Sequence, residues 1–353
     1  MKNLYTYLIF YLAFGFTACN SSSNNEKEFS EDTGPSLFQL LYEKENLSIV
    51  LKTDIQKLLD NKYLDTKEYQ KATFIGSSDG IEITSGKIHI RPRGVTRKEN
   101  CDFPPIMIKV KKSRQDSLGV GSSENIKLVT YCKDSINYPE WIVKEYLAYK
   151  LYNAISEHSF QVKLVEVTYE DSKGQYPTLQ KTGFIIEPLE ELANRYSCNI
   201  VPDEQAIASI HKEKYKLLTV FQFMIGNSDW NFSKRHNVRM LACQKSSSPI
   251  PVPYDFDYSG MVNADYAKPH PMLPIKKVTE RLFQWRGSVD EDFSETIKVF
   301  QESKNKFQEI YENVPYLSSE TKVEMTDYFD QFYKTVSSAE NIKTEIRKAR
   351  ISK

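Results

Sequence analysis

The sequence predicts an α+β protein in which a β-rich lobe, residues 36–190, precedes a mostly helical lobe, residues 191–353. Two observations predict this order. In the first lobe, short runs of Ile, Val and Thr alternate with polar residues and are bounded by turn residues, as paired strands are. In the second lobe, apolar and aromatic residues recur at helical spacing. Strands followed by helices are typical of the α+β class.

The N-terminus predicts export. A lysine at the second position precedes Leu4–Ala18, which is apolar but short for a membrane span, and Phe-Thr-Ala-Cys has the small residues of a cleavage site. The segment resembles a bacterial lipoprotein signal, which implies loss of residues 1–18 and a lipid on Cys19. The alternative is a secretory signal with an incidental cysteine. Residues 19–35 are rich in Ser, Asn and Glu and indicate a flexible linker.

That resemblance implies a cellular location. The protein is expected in the bacterial cell envelope, held to a membrane by the lipid on Cys19, on the periplasmic or the surface face of the outer membrane. Its 47 basic and 47 acidic residues give a net charge of zero. Zero net charge argues against nucleic acid as the principal partner.

The β-rich lobe contains six strand patterns: residues 81–84, 87–90, 106–110, 126–129, 162–169 and 182–188. A Lys-Gly-Gln turn between the last two indicates a β-hairpin. Apolar residues at near-helical spacing predict a helix over residues 139–158. In the second lobe the same spacing predicts helices over three ranges, namely residues 204–225, about 292–312 and about 319–347.

The residues with the clearest chemistry lie between positions 221 and 263. Asp229 ends an apolar helical run, Asn237 follows eight residues later, and Asp255 and Asp257 flank a phenylalanine on a predicted short strand. Phosphoryl transfer needs a carboxylate that orients or deprotonates the acceptor, and carboxylate and amide oxygens that hold magnesium against the phosphates. The stretch therefore predicts a phosphoryl-transfer site.

These motifs resemble the catalytic loop and metal-binding segment of atypical protein-kinase-like proteins, in the manner of the HipA-like and CotH-like branches. The resemblance rests on Ile-Gly-Asn-Ser-Asp, which ends at Asp229, on Asn237, and on Tyr-Asp-Phe-Asp at residues 254–257. It implies a two-lobe kinase-like fold with ATP and Mg²⁺ as cofactors. Asp229 would be the catalytic aspartate, Asn237 the first metal ligand and Asp255 the aspartate of the kinase Asp-Phe-Gly segment.

Two departures from the family pattern affect the metal site. Asn237 follows Asp229 by eight residues where five is commoner, so the loop is longer or Asn231 takes part. Asp257, which we include among the metal-ligand candidates, stands where a glycine is expected. The alternatives are structural: Asp-Phe-Asp could hold calcium or carry solvated charges, and Gly-Asn-Ser-Asp could be the turn that ends a helix.

The resemblance also implies residues that hold the nucleotide. A lysine on a strand would hold the phosphates and a helix glutamate would hold that lysine. We assign Lys127, with Lys109 as the alternative, and Glu145 on the predicted helix. The end of the hairpin around Glu187 would be the hinge whose backbone receives the base.

A basic segment, Arg-Pro-Arg-Gly-Val-Thr-Arg, resembles the Arg-Gly segment of CotH-like proteins. Its arginines are Arg91, Arg93 and Arg97. We assign Arg93 to the nucleotide phosphates. The alternative is a basic turn on the protein surface, since an isolated basic cluster is weak evidence.

Excluding Cys19, four cysteines remain, which permits two disulfides in an exported chain. Cys101 and Cys132 adjoin strands of the β-rich lobe and are the pair we expect. No Cys-x-x-Cys occurs and the five histidines are scattered, so zinc is not expected.

Three functions follow from these observations. The first is an ATP- and Mg²⁺-dependent transferase that acts on an envelope or secreted protein, moving a phosphoryl group or, as a variant, a nucleotidyl group. The second is an inactive surface lipoprotein that keeps the fold for binding or assembly, because ATP is scarce outside the cytoplasmic membrane. The third is a structural cation at Asp-Phe-Asp with no catalysis.

Overall fold

The computed structural model describes residues 34–64, 68–121, 125–133, 138–207 and 209–351. The predicted signal segment, Cys19 and nearly all of the predicted linker lie outside the described residues. Gly34–Lys353 form a single compact unit. Within the described residues, no helix combines the length and the apolar character needed to cross a bilayer.

Seven strands close into a barrel: β1 (Leu47–Thr53), β2 (Gln70–Ser78), β3 (Ile81–Pro92), β4 (Ile106–Lys109), β5 (Asn125–Val129), β6 (Val162–Asp171) and β7 (Leu179–Ile186). Their order around the barrel is β1-β2-β3-β4-β5-β7-β6. Neighbouring strands are antiparallel except β1 and β6, whose parallel pairing closes the barrel, with Ser48 opposite Glu166. Closure leaves no free sheet edge.

The strand predictions for this region are confirmed with small changes. The runs at 81–84 and 87–90 form one continuous strand, β3. The hairpin of β6 and β7 pairs Val162 with Ile186 in antiparallel register. Strands β1 and β2 were not predicted. Alternate residues of β1 are buried, namely Leu47, Ile49 and Leu51, because successive side chains of a strand point to opposite faces.

Eleven helices occur in the described residues: α1 (Leu37–Tyr42), α2 (Ile55–Asn61), α3 (Thr96–Asn100), α4 (Gln115–Leu118), α5 (Tyr138–Ile155), α6 (Leu189–Arg195), α7 (Lys212–Met224), α8 (Ser294–Glu302), α9 (Lys304–Glu312), α10 (Ser319–Thr335) and α11 (Ala339–Ile351). A 3₁₀ turn, Lys112–Arg114, precedes α4. The helix predicted over 139–158 is confirmed as α5, and that over 204–225 is shorter, as α7. Each of the last two predicted helices is divided into two. Strands first and helices afterwards confirm the α+β prediction.

A second sheet, which was not predicted, lies among the helices. Its strands are β8 (Cys198–Ile200), β9 (Val238–Cys243) and β10 (Ile250–Pro253), in the order β10-β9-β8. The prediction that Asp255 and Asp257 lie on a strand is wrong, because β10 ends at Pro253. Asp255 has a φ of 64°, in the left-handed region, which is incompatible with extended strand backbone.

The four remaining cysteines form two disulfides. The predicted pair Cys101–Cys132 is confirmed, and the second bond joins Cys198 of β8 to Cys243 of β9. A ring nitrogen of His158 lies within 4.8 Å of both sulfurs of the second bond. Those sulfurs are bonded to each other and therefore offer no thiolate to a metal ion.

Buried apolar residues form two large clusters. One fills the barrel, with contributions such as Phe74, Ile88 and Leu128. The other surrounds α5 and α7 and includes Tyr149 and Phe256. The cavity described next lies where barrel strand β5, helix α5 and the chain after α7 and β10 meet.

Candidate active site

A cavity of about 260 Å³ brings together residues that are far apart in the sequence. Seven of the predicted site residues line it: Arg93, Lys127, Glu145, Asp229, Asn237, Asp255 and Asp257. Further lining residues include Arg97, Tyr149, His236 and Tyr254. Barrel, helix and loops thus contribute to one polar site.

The end of α7 determines where Asp229 lies. The helix ends at Met224, and Gly226 follows with a φ of 65°. The N–H of Asn227 donates to the carbonyl of Gln222 at 2.8 Å, and the N–H of Gly226 donates to that of Phe223 at 3.2 Å. This is the Schellman arrangement, in which glycine supplies the left-handed residue. The helix-ending turn considered from the sequence and the candidate catalytic loop are therefore parts of one segment.

A tight loop explains the eight-residue spacing between Asp229 and Asn237. Asn231 and His236 exchange two backbone hydrogen bonds, of 2.9 and 3.0 Å, which fold the intervening residues back on themselves. The side chain of Asn231 accepts the N–H of Lys234 at 3.0 Å within this loop. Asn231 caps the loop and is not among the residues that line the cavity. The longer loop therefore returns Asn237 to the side of Asp229.

Asp229 is held by two neighbours. Asn237 Nδ2 donates to the Asp229 carbonyl at 2.7 Å and to its Oδ2 at 3.1 Å. Nε2 of His236 lies 2.8 Å from the other carboxylate oxygen, Oδ1. This hydrogen bond raises the pKa of His236. The Asp229 side chain is 38% exposed and can therefore meet a ligand from solvent.

Asp255 projects from a strained turn beside this pair. Its N–H donates to the buried hydroxyl of Tyr149 on α5 at 2.9 Å. The preceding residue, Tyr254, donates its N–H to the carbonyl of Asn237 at 3.1 Å. Tyr149 and Asn237 therefore fix the turn from both sides, which orients the Asp255 carboxylate toward the cavity that it lines.

Glu145 and Asp257 are both paired with Arg97. The Arg97 guanidinium binds Glu145 Oε2 through Nη2 and Asp257 Oδ2 through Nε, the latter at 3.2 Å. Nε also lies 2.9 Å from the hydroxyl of Tyr266, which itself donates to Asp257 Oδ2 at 3.0 Å. All three charged side chains are almost completely buried. Burial raises the pKa of Glu145 and of Asp257, and the guanidinium of Arg97 opposes that shift.

This arrangement corrects two expectations. The predicted Lys127–Glu145 pair does not form, since Glu145 is bound to Arg97. Asp257 was expected to bind metal, but its Oδ2 already accepts bonds from Arg97 and Tyr266. A calcium ion enclosed by Asp-Phe-Asp is disfavoured for the same reason, because a guanidinium already neutralises one of its two carboxylates.

Lys127 and Arg93 are the cations that face the cavity without a carboxylate partner among the described residues. Burial and the nearby Arg93 lower the pKa of Lys127 to about 8. The Lys127 ammonium lies 4.9 Å from the ring centre of Tyr254. Two cations beside one polar cavity form a surface that attracts an anion.

Three other predicted positions lie elsewhere. Glu187 pairs with Arg195 at 2.8 Å, and its backbone N–H, the expected hinge donor, already bonds to the carbonyl of Gln161 at 2.9 Å. Ile186, one residue earlier, lines the cavity instead. Lys109, the alternative lysine, and Arg91 both lie 5.3 Å from the ring centre of Tyr69 and do not line the cavity.

Sequence patterns did not predict the contacts that three residues make at this site, namely Arg97, Tyr149 and Tyr266. Arg97 was noted only as part of a basic segment that could approach phosphates. Tyr149 is four residues after Glu145 on α5, so one helical turn separates them and both face the cavity. That spacing was the available signal for Tyr149. Nothing comparable marks Tyr266, which follows a stretch with no regular secondary structure.

The sequence matches no protein-family model and no curated protein. Among solved structures, the chain is similar to the crystal structure of a Helicobacter pylori proinflammatory kinase, CtkA. The identity is 13% and the TM-score is 0.36, over 67% of this chain and 93% of that chain.

Proposed function

We propose that this protein is an exported, lipid-anchored, kinase-like phosphotransferase that uses ATP and Mg²⁺ to modify an envelope or secreted protein. One observation carries the proposal: a single cavity gathers a candidate base, two candidate metal ligands and two cations. These are Asp229, then Asn237 and Asp255, then Arg93 and Lys127. Phosphoryl transfer needs this combination, because positioning and electrostatic stabilisation supply most of its catalysis.

The proposed function includes a kinase-like fold with two lobes. The seven-stranded barrel would be the small lobe, and the helices after α6, with the sheet of β8 to β10, would be the large lobe. The cavity is lined by both groups of residues, as an ATP site between two lobes requires. The base would enter along Val129 and Ile186, the apolar residues of the cavity wall that come from the barrel.

The phosphates would lie against Lys127 and Arg93. Neither cation forms an ion pair with a carboxylate in the described residues, so both are available to the oxygens of a bound polyphosphate. Arg93 provides a planar fork for phosphate oxygens and Lys127 a point charge.

The metal would be held by Asn237 and Asp255. Because the amide nitrogen of Asn237 donates to Asp229, its amide oxygen is the atom left for a cation. Carboxylate and amide oxygens are the ligands that Mg²⁺ prefers. When bound, Mg²⁺ would neutralise charge that develops on the phosphate oxygens.

Asp229 would act as the base. As the acceptor hydroxyl oxygen bonds to the γ-phosphorus, the bond from that phosphorus to the bridging oxygen breaks, and ADP leaves with its electron pair. The hydroxyl proton passes to the Asp229 carboxylate. Asn237 and His236 keep that carboxylate in one orientation during the step.

The proposed location in the cell envelope rests on the N-terminal sequence. A lipid on Cys19 would tether the protein, and the linker that follows would let the folded unit, which begins at Gly34, reach its acceptor. The two disulfides support this proposal, because such bonds persist in oxidising compartments outside the cytoplasm.

An inactive scaffold is the second candidate, and one observation favours it. The Lys127–Glu145 pair that the family resemblance implies is replaced by an Arg97–Glu145 pair. Such a replacement is compatible with a protein that has kept its fold and lost nucleotide turnover. In contrast, the cavity is open and Lys127 lines it, whereas a degenerate site is expected to be blocked.

ATP binding distinguishes these two functions. We would titrate ATP with Mg²⁺ into the folded unit from Gly34 by calorimetry, comparing the wild type with Asp255→Asn. The matched control is Asp330→Asn, which removes a half-exposed carboxylate that bonds Lys304 at 2.9 Å outside the cavity. We expect binding by the wild type and the control, and a loss of about 10-fold or more in Asp255→Asn.

The contrary outcomes are distinct. If the folded wild type binds no ATP, the transferase proposal fails and the scaffold becomes the preferred function. If ATP binds equally well to wild type and Asp255→Asn, the nucleotide site is elsewhere and the role of Asp255 is refuted.

A further inference from the structure

We propose that Arg97 is the positioning residue of this site, and that the Cys101–Cys132 disulfide holds it there. The inference rests on the proposed nucleotide function and extends it to an arginine and a disulfide to which that function assigns no role. Arg97 would not touch the nucleotide. It would hold Glu145 and Asp257 so that Lys127 and Asp255 remain available to the ligand.

The first argument is the number and burial of the Arg97 contacts. The guanidinium contacts Glu145 on α5, Asp257 after β10 and the hydroxyl of Tyr266. The side chain is only 8% exposed, and the Glu145 and Asp257 side chains are 2% and 10% exposed. A planar guanidinium can serve three partners at fixed angles, whereas an ammonium is a point charge on a flexible stem.

The second argument is that Arg97 joins parts of the chain that carry the other site residues. Asp257 lies two residues from Asp255, and Glu145 lies one helical turn from Tyr149, which binds the N–H of Asp255. Fixing both carboxylates therefore fixes the Asp255 turn on two sides. Without Arg97, two buried carboxylates would face each other with no countercharge, and they would take up protons or draw apart, either of which removes the contacts that fix the turn.

The third argument concerns what holds Arg97. Helix α3 has only five residues and no side-chain cap at its N-terminus, so it has little stability of its own. Cys101 follows its last residue and is bonded to Cys132. The carbonyl of Cys132 also accepts the N–H of Asp102 at 2.8 Å.

The disulfide also touches the other side of the Arg97 cluster. Cys101 and Cys132 form a small buried group against which Trp141 and Tyr266 pack. Tyr266 is the residue whose hydroxyl contacts both Arg97 and Asp257. The covalent bond therefore supports the cluster from the α3 side and from the Tyr266 side.

The test compares variants of the full-length protein for binding of a non-hydrolysable ATP analogue with Mg²⁺. We expect Arg97→Met to weaken binding about 10- to 100-fold, as loss of a residue that orients metal ligands does. Arg97→Lys keeps the charge and is expected to fold, but to recover little of the affinity. Cys101→Ser/Cys132→Ser is expected to weaken binding in the same direction.

Two controls separate positioning from general destabilisation. Lys216→Met breaks a comparably buried ion pair, Lys216 with Glu291 at 2.8 Å, outside the cavity. Cys198→Ser/Cys243→Ser removes the other disulfide. Both are expected to lower stability while the folded protein keeps wild-type affinity. Equal affinity in Arg97→Lys and wild type, or equal losses in the two disulfide variants, would overturn the proposal.

A second readout needs no nucleotide. Backbone hydrogen exchange across residues 255–266 is expected to increase in Arg97→Met and to stay at the wild-type level in Lys216→Met. If the wild type binds no nucleotide, the proposed function fails, yet this measurement still tests whether Arg97 fixes the turn. Unchanged exchange in Arg97→Met refutes the positioning role even if nucleotide binding is found.

Discussion

Asn237 and Asp255, the two candidate metal ligands, both have left-handed backbone conformations. Their φ values are 53° and 64°. For an aspartate or an asparagine, such a conformation costs about 1–3 kcal/mol and persists only where neighbouring contacts impose it. Here the contacts are the hydrogen bonds from Tyr254 to Asn237 and from Asp255 to Tyr149. Six other non-glycine residues in the described part of the chain also have positive φ and do not line the cavity, so these contacts, and not the conformation alone, distinguish Asn237 and Asp255.

Sequence reasoning identified these two residues but could not identify their partners. Residue type and order were sufficient to select Asp229, Asn237 and Asp255 as candidates, and the structure brings the three to one cavity. Residue type could not predict which cation pairs with Glu145, because Lys127 and Arg97 are both cations in the barrel half of the chain. Only the three-dimensional path of α3 decides which of them reaches the glutamate.

The ionisation of Lys127 gives a prediction at this scale. Its pKa is lowered to about 8, so raising the pH from 7 to 9 removes the charge from most molecules. A bound polyphosphate favours the charged form and raises that pKa, so binding at pH 8, where about half of the molecules are already charged, is expected to take up about half a proton. ATP affinity is therefore expected to fall by about 5- to 10-fold between pH 7 and pH 9.

Calorimetry in two buffers with different ionisation enthalpies measures this proton uptake. Lys127→Arg is the control, because arginine stays charged throughout this range. We expect that variant to bind without proton uptake at this position. The same pH dependence in Lys127→Arg as in the wild type would show that another group is responsible.

At the scale of single elements, the end of α7 is the most restrictive feature. A Cβ at Gly226 would lie 2.0 Å from the hydroxyl of Tyr328, and the residue also needs a φ of 65°. Gly226→Ala is therefore expected to lower the free energy of unfolding by about 3 kcal/mol or more, from backbone strain and the clash together. Urea denaturation measures the change.

Gly174 provides the matched control for that substitution. Its φ is 70°, but a Cβ there would meet nothing within 4 Å. Gly174→Ala therefore measures the cost of the left-handed backbone conformation alone, and it is expected to lower the free energy of unfolding by about 1–2 kcal/mol. If the two substitutions cost the same, the contact with Tyr328 does not restrict the turn that leads to Asp229.

One of the elements that sequence patterns missed, β10, has a physical explanation. Strand β10 reads Ile-Pro-Val-Pro, and proline lacks the N–H that a central strand needs. In the structure β10 is an edge of its sheet, where a missing donor is tolerated. Strands β1 and β2 also alternate between buried and more exposed residues, so alternation alone does not separate them from the barrel strands that were predicted. The second hairpin strand was predicted to end at residue 188 and ends at Ile186, and a pattern cannot show that the Glu187 N–H is already bonded.

For the whole molecule, the two disulfides make stability depend on oxidation. They close loops of 31 and 45 residues, and loop-closure entropy predicts about 4 kcal/mol of stabilisation from each. Cys198→Ser/Cys243→Ser is expected to lower the free energy of unfolding by about that amount in urea denaturation. A dithiol reductant breaks both disulfides of the wild type. It is therefore expected to lower the free energy of unfolding by more than the variant, which lacks only one of them. A wild type unaffected by reduction would contradict the expectation.

The parallel pairing of β1 with β6 has a consequence for how the chain reaches its native state. Ser48 finds its partner at Glu166, after four other barrel strands and helix α5 have been added to the chain. Pairing between segments so distant in sequence is slow, because loop-closure entropy opposes it until many contacts form together. A chain of which only the first strands are available therefore cannot close the barrel, because β1 lacks its partner β6. Under the export proposed above, the chain would cross the membrane before this pairing forms and would complete its barrel after arrival.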